Sequence, residues 1–189
     1  MNNNLDFYIV NDNYIKFLSF YDKHIAHNKN MKRPYVGIVL QINNISYFAP
    51  MYSPKPQHKK YKDNLTFFKI YQKTSNKKNY LGLIRFSDMI PISNLDLIPI
   101  NIKSQTNNYI RLMNMQHNYI NKPENKKEIF KKAKSLYEII TKGKNNKTNN
   151  FYKNISCNFE LLEEKYNEWV NMQNQQNFTY NTEDDEEEM

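Results

Sequence analysis

The chain has 189 residues, enough for one core of ordinary size, and three glycines, too few for a P-loop or a dinucleotide-binding turn. Its net charge is +8, but six acids crowd the last seven residues, and setting those six aside leaves +14 on residues 1–182. With fifteen tyrosines and eleven phenylalanines interleaved, so basic a body suits a nucleic-acid partner. A generically solvated basic surface is the plainer reading of the same charge.

In chain order, residues 5–10 predict a strand. Asp12 then reads as the cap of a helix carrying Tyr14, Phe17, Leu18 and Tyr21 at helical spacing. Residues 24–33 read as a polar loop. Residues 35–42 form an apolar, β-branched run that predicts a buried strand, Asn43 and Asn44 a hairpin turn, and residues 45–50 the returning strand. Further strands are expected over 65–71 and 80–86, separated by the polar segment 72–79. The proline-broken stretch 89–92 reads as an edge, and 95–102 as a last extended segment. Helices follow over 108–121 and from Pro123 to about Thr141, ended by Gly143, and 144–150 reads as a polar loop. Cys157, the single cysteine, cannot form an internal disulfide and reads as buried. Asn158 caps a final helix with Leu161, Leu162, Tyr166, Trp169 and Val170 on one face. The expectation is one domain over 1–172 and a disordered acidic tail over 173–189. The fold class expected is α+β, a small curled or partly barrel-like antiparallel sheet followed by helices. No stretch reaches the length of a membrane span and the polar start is no signal peptide, so cytoplasm is the default.

The most informative segment is 47–60. Pro50, Pro54 and Pro56 stiffen it, and Ser53, Lys55, His58, Lys59 and Lys60 stand on it. A hydroxyl and cations on a stiff loop suit chemistry on a phosphate, although they could equally be ordinary loop residues. Lys62 and Tyr61 extend a ridge of cations and aromatics of the kind that holds single-stranded RNA. Lys32, Tyr35, Arg85, Arg111 and Gln116 are further candidates for RNA contact, Arg111 alternatively for a structural ion pair. His24 and His27 have the spacing of a metal pair, but no third ligand accompanies them and a loop role is the simpler reading.

Several stretches, taken in order, resemble the ToxN/AbiQ family of type III toxin–antitoxin systems. They are Phe7-Tyr8 with Tyr14-Ile15, Val36-Gly37-Ile38-Val39-Leu40, and Ala49-Pro50 followed by Ser53-Pro54-Lys55. Leu81-Gly82-Leu83-Ile84, Met89-Ile90-Pro91-Ile92, Tyr109 with Arg111, and Cys157-Asn158-Phe159 with Leu161-Leu162-Glu163-Glu164-Lys165-Tyr166 continue the likeness, which covers residues 7–170. The resemblance implies an endoribonuclease on a twisted antiparallel sheet related to the MazF/Kid toxin fold. It implies a metal-independent cut at adenine-rich sites that leaves a 2′,3′-cyclic phosphate and a 5′-hydroxyl, with no cofactor. The implied partners are cellular or phage mRNA as substrate and a small RNA antitoxin, built of pseudoknot repeats and held with the protein in a closed ring such as three of each. Growth arrest and abortive phage infection are the implied outcomes.

Carried over by position, Ser53 and Lys55 match the family's active-site hydroxyl and lysine. Arg33 falls where relatives place a basic residue, commonly lysine, and Tyr14 on a family tyrosine. Tyr52 departs from the threonine of relatives, so its role is open between stacking on a base and supplying a phenol. Arg33 stays protonated and suits phosphate binding better than proton transfer. Tyr14 is read equally as a core residue. The alternatives are a non-catalytic RNA-binding protein of the same fold and a metal-dependent nuclease, the latter without a carboxylate cluster to support it.

Overall fold

The computed structural model describes residues 4–73, 78–102 and 107–186. Strands β1 (Asp6–Val10), β2 (Tyr35–Ile42), β3 (Ile45–Tyr52), β4 (Phe67–Lys73), β5 (Lys78–Arg85), β6 (Ile90–Pro91) and β7 (Leu97–Pro99) form one sheet. Every pairing is antiparallel, in the order β4-β5-β3-β2-β1-β7, with β6 also on β3. The sheet is open, with β4 and β7 as its ends, rather than rolled into a barrel. Helices α1 (Asp12–Tyr21), α2 (Pro56–Lys59), α3 (Asn107–Ile120), α4 (Pro123–Lys142), α5 (Lys147–Asn154) and α6 (Phe159–Glu186) pack around it.

Local chemistry explains most boundaries. Asn43 and Asn44 both adopt left-handed φ, 47° and 67°, so the β2–β3 hairpin closes on the two-residue turn that asparagine tolerates. Pro123 opens α4 and Gly143 caps it, as expected. Asn158 Oδ1 accepts from the Leu161 N–H at the head of α6, while its own N–H donates to Asp22 Oδ2 at 2.7 Å.

Several sequence expectations are corrected. The first helix is capped by Asn11, whose side chain accepts from the Asn13 N–H, and Asp12 is its first helical residue. Strand β3 runs through Pro50 to Tyr52, because Pro50 sits where β3 changes partner from β6 (at Tyr47 and Phe48) to β5 (at Met51 and Tyr52). The loop after it contains the one-turn α2, opened by Pro56. Gln72, Lys73, Lys78 and Asn79 extend the β4–β5 hairpin, and of the polar segment 72–79 only 74–77 lie outside the described residues. Part of 144–150 is helical: Asn146 caps α5, which no apolar periodicity announced because none of its residues is buried. The backbone of α6 continues to Glu186, over a stretch without glycine or proline.

The core is aromatic and polar-pinned. Tyr47 and Tyr137 both donate to Glu163 Oε1 at 2.8 Å, fastening α4 and α6 to β3. Trp169 donates to Asp96 Oδ2 and packs on Tyr14 and Phe17, which seats α6 on α1. Cys157 is fully buried, and burial pushes its thiol pKa well up. Gln116 of α3 donates to Leu81 O at the bulge of β5, where Ile70 pairs with Gly82 but Tyr71 with Tyr80.

Candidate active site

The far end of β3 is bound to the segment before β2. The Met51 N–H donates to Pro34 O at 2.8 Å, and Arg33 donates to Met51 O at 3.1 Å and, through Nε, to His27 O at 2.7 Å. Arg33 is only 6 % exposed, so its charge is held in place by these carbonyls. The approach to it is a left-handed turn in which Lys29, Asn30 and Met31 all have φ of 54–58°. Asn28 anchors that turn by donating to Val10 O and to Asp12 Oδ1. The segment 24–33 is therefore a pinned turn rather than a free polar loop. His24 is occupied by Asp22, and the Lys29 N–H donates to His27 Nδ1.

Tyr52 is the hub. The Arg33 guanidinium lies 4.3 Å and that of Arg85 5.6 Å from its ring centroid. Its hydroxyl donates to Asp88 Oδ2 at 2.6 Å. Asp88 Oδ1 accepts from Ser87 Oγ at 2.7 Å and pairs with Arg85 Nε at 3.1 Å. Burial raises the Asp88 pKa against the opposing pull of Arg85, the two hydroxyls and Arg33. Burial, then the Asp88 charge, push the Tyr52 phenol well above its ordinary value, so it stays protonated.

Two clefts flank this hub, and Tyr52 lines both. The first, of about 450 Å³, is bounded by Lys55, Lys62 and Arg85 with His58, Tyr61, Asn64 and Thr66. The second, of about 740 Å³, is bounded by Lys29, Lys32 and Arg33 with Ser53, Tyr109 and Gln116. Six cations line the pair, and among the described residues no carboxylate does, since Asp88 sits behind Tyr52. Ser53 and Lys55, expected to act together, fall to different clefts on either side of Tyr52. His58 is 6 % exposed with Nδ1 3.0 Å from the Tyr80 hydroxyl. Burial, then the charges of Lys55, Arg85 and Lys69, lower its pKa, leaving a neutral imidazole at neutral pH.

The structure does not bring every candidate here. Tyr14 is completely buried on α1, its hydroxyl donating to Pro91 O at 2.7 Å. Tyr35 is likewise completely buried, beneath Arg33, Tyr52 and Asp88, where no ligand reaches it. Arg111 is exposed on α3 and lines neither cleft, nor do the exposed Lys59 and Lys60. Gln116 lines the second cleft, but its amide is engaged by Leu81 O. Asp88, the only acid at the hub among the described residues, was not among the sequence candidates. Arg85 and Asp88 at i,i+3 hinted at an ion pair, but the inward turn of residues 86–88 that buries the carboxylate is a tertiary feature.

Comparison with known proteins adds to this geometry. Residues 6–167 match the family model described as toxin ToxN of type III toxin–antitoxin systems. The chain is 30 % identical over 171 residues to an endoribonuclease ToxN of Pectobacterium atrosepticum, covering 87 % of this chain and 94 % of that protein. It is 28 % identical over 167 residues to the endoribonuclease AbiQ of Lactococcus lactis subsp. lactis, covering 85 % and 87 %. A solved structure concerned with type III toxin inhibition by a non-coding RNA pseudoknot superposes with a TM-score of 0.78 at 28 % identity, over 89 % of this chain and 99 % of that one. The structure of AbiQ, a lactococcal anti-phage endoribonuclease, superposes with a TM-score of 0.75 at 27 % identity, over 89 % and 99 %.

Proposed function

Because this chain belongs to the ToxN toxin family of type III toxin–antitoxin systems, we propose that it is an endoribonuclease toxin whose active site is the saddle formed by Arg33, Tyr52, Ser53 and Lys55. The observation that carries the reading is the convergence of a hydroxyl, arginines and a lysine about Tyr52, between two clefts whose charged lining residues are all cations. An RNA strand lying across the saddle places a phosphate over Tyr52 with nucleotides on both sides.

The reaction proposed is transesterification. The 2′-oxygen bonds to phosphorus and gives up its proton, the P–O5′ bond breaks, and the 5′-oxygen takes a proton, leaving a 2′,3′-cyclic phosphate and a 5′-hydroxyl. Lys55 and Arg33 stabilise the charge that develops on the phosphorane, and Ser53 hydrogen-bonds the scissile phosphate or relays a proton. Arg33 suits this role because two carbonyls already fix its orientation, so little rearrangement accompanies the transition state. Tyr52 has its phenol proton directed at Asp88, away from the clefts, and acts through its ring. His58, Lys62 and Tyr61 line the first cleft with the neutral imidazole, cation and exposed aromatic that hold unpaired RNA. Lys32 does so at the second, while Tyr14 and Tyr35 support the site from the core.

The finer reading follows from the family. The cut needs no metal and falls in adenine-rich RNA, including cellular or phage mRNA in the cytoplasm. A repeat RNA folded as pseudoknots inhibits the protein in a closed ring, three of each, and release brings growth arrest and abortive phage infection. The open sheet is read as related to the MazF/Kid toxin fold. No helix among the described residues is long and apolar enough to cross a membrane.

The test is cleavage of an adenine-rich RNA by the purified protein in EDTA, with Ser53→Ala and Lys55→Ala alongside. Loss of cutting in both variants, with cyclic phosphate ends from the wild type, is expected. Full cleavage and growth arrest by Ser53→Ala sinks the assignment, and RNA binding without cutting by the wild type favours the non-catalytic alternative.

A further inference from the structure

Asp88 sits on the turn after β5 and is 4 % exposed. That turn is closed by one internal backbone bond and braced from two sides. The Phe86 N–H donates to Thr66 O at 2.7 Å, the Met89 N–H to Phe86 O at 3.1 Å, and the Cys157 N–H to Ser87 O at 2.8 Å. The main chain that carries the carboxylate is therefore fixed by the fold. Two hydroxyls donate to its two oxygens, Tyr52 OH to Oδ2 and Ser87 Oγ to Oδ1, and Arg85 Nε, which donates to Ser87 Oγ at 3.0 Å, stands 3.1 Å from Oδ1 as an ion pair. With both oxygens so engaged behind the Tyr52 ring, it takes no proton from a bound RNA.

We propose that Asp88 is a positioning residue for the RNA cleavage, fixing Tyr52 as the wall between the two clefts and aiming Arg85 into the first. The proposal rests on the reading of the site as a ribonuclease centre. Tyr52 turns about two side-chain torsions, and its hydroxyl bond to Asp88 fixes the ring at its far end. Arg85 has a side chain 44 % exposed, and an arginine so placed samples many rotamers unless something holds it. Asp88 and Ser87 hold Nε, which leaves the terminal nitrogens of the guanidinium for a phosphate in the cleft that Arg85 lines. Asp88 also lies between two arginines that flank one ring, so its charge reduces their mutual repulsion without putting an anion into either cleft.

Asp88→Asn provides the test because it keeps the shape and removes one acceptor. The amide offers one oxygen where the carboxylate offered two, turns an N–H toward one of the two hydroxyls, and no longer carries the charge that holds Arg85, so the hold on Tyr52 and on Arg85 is loosened. Single-turnover cleavage at saturating protein is expected to slow by about tenfold, with the affinity for uncleavable RNA changed by less than about threefold, because displacement of less than an ångström at the site acts on the chemical step. Adding Tyr52→Phe to Asp88→Asn is expected to slow cleavage by no more than about twofold further, since both changes break one link. Circular dichroism melts establish that each variant is folded at the assay temperature.

Wild-type cleavage by folded Asp88→Asn, or rate losses that multiply in the double variant, overturns the proposal. If Asp88→Asn does not fold, Tyr52→Phe decides alone. A loss of about fivefold, with the shape of the pH–rate profile kept, supports the positioning role. A loss beyond about a hundredfold with disappearance of the basic limb makes the phenol a proton donor and overturns it. A wild type that cuts no RNA instead refutes the ribonuclease reading itself, so the two failures are told apart.

Discussion

Gly82→Ala places a single methyl where β5 passes β3, and the structure sets its consequence. Gly82 has φ of +132°, a conformation that side-chain-bearing residues avoid, and an added Cβ would lie 2.6 Å from Tyr52 O. Reaching even a tight 3.0 Å contact needs a shift of 0.4 Å. The atom in the way is backbone, so no flexible side chain can swing aside. The unfavourable φ costs about 1–3 kcal/mol, and forcing the two strands apart adds about 1–3 kcal/mol. The sum, about 2–6 kcal/mol, is a large part of the roughly 5–15 kcal/mol that holds a domain folded. At about 2–4 °C per kcal/mol for a chain of this size, the melting temperature should fall by about 10 °C if the cost is near 3–4 kcal/mol. Because the displaced carbonyl belongs to Tyr52, cleavage measured well below both melting points should also slow, by about tenfold for a shift under half an ångström. The assay is thermal unfolding by circular dichroism beside single-turnover RNA cleavage. A variant melting within about 2 °C of the wild type and cutting at its rate would falsify the coupling of β5 to the site.

Tyr35→Phe removes a fully buried hydroxyl that has no hydrogen-bond partner among the described residues, so stability should be unchanged or rise by up to about 1 kcal/mol in urea titration, and RNA affinity should not change. A several-fold loss of affinity would restore Tyr35 as a contact. His58 is held neutral by burial and by Lys55, Arg85 and Lys69, so its folded pKa lies below the ordinary value near 6.5. The unfolded chain then binds the proton more readily. Stability from this group is complete above about pH 6.5 and is lost as pH falls toward the folded pKa. Urea titrations of wild type and His58→Gln between pH 7.5 and 5 should show the variant losing less, and parallel curves refute the assignment. Ending the chain after Gln175 removes six acids yet keeps Trp169 and Gln173 on Asp96. The melting temperature should stay within about 2 °C, and RNA binding at low salt should tighten modestly. A large loss of stability would give the final segment a structural role.

The reach of the sequence differs from element to element. Periodicity placed all the longer strands and helices, and turn chemistry placed the Asn43-Asn44 hairpin and the Gly143 and Asn158 caps, because these are decided by neighbours along the chain. It missed α5, which has no buried face to produce a pattern, and it stopped β3 at Pro50, whose tolerance depends on a change of partner strand. Charge and aromatic content suited a nucleic-acid partner, and the order of short stretches pointed to the family that residues 6–167 match.

Which side chains share a site was decided elsewhere. Tyr14, read from the resemblance as either a site or a core residue, and Tyr35, read as an RNA contact, both sit in the core, since a tyrosine is amphipathic and sequence spacing does not say which end meets solvent. Ser53 and Lys55 are two residues apart and still line different clefts, Ser53 with Arg33 and Lys55 with Arg85, because Tyr52, flanked by arginines from distant segments, is the wall the two clefts share. Asp88 is one acid among nineteen in the sequence. Only the inward turn after β5, braced by Thr66 and Cys157, makes it the anchor of Tyr52. Composition and pattern along the chain determined an α+β protein with a basic, aromatic-rich body. The geometry around Tyr52 needed long-range contacts, whose partners no local signal names.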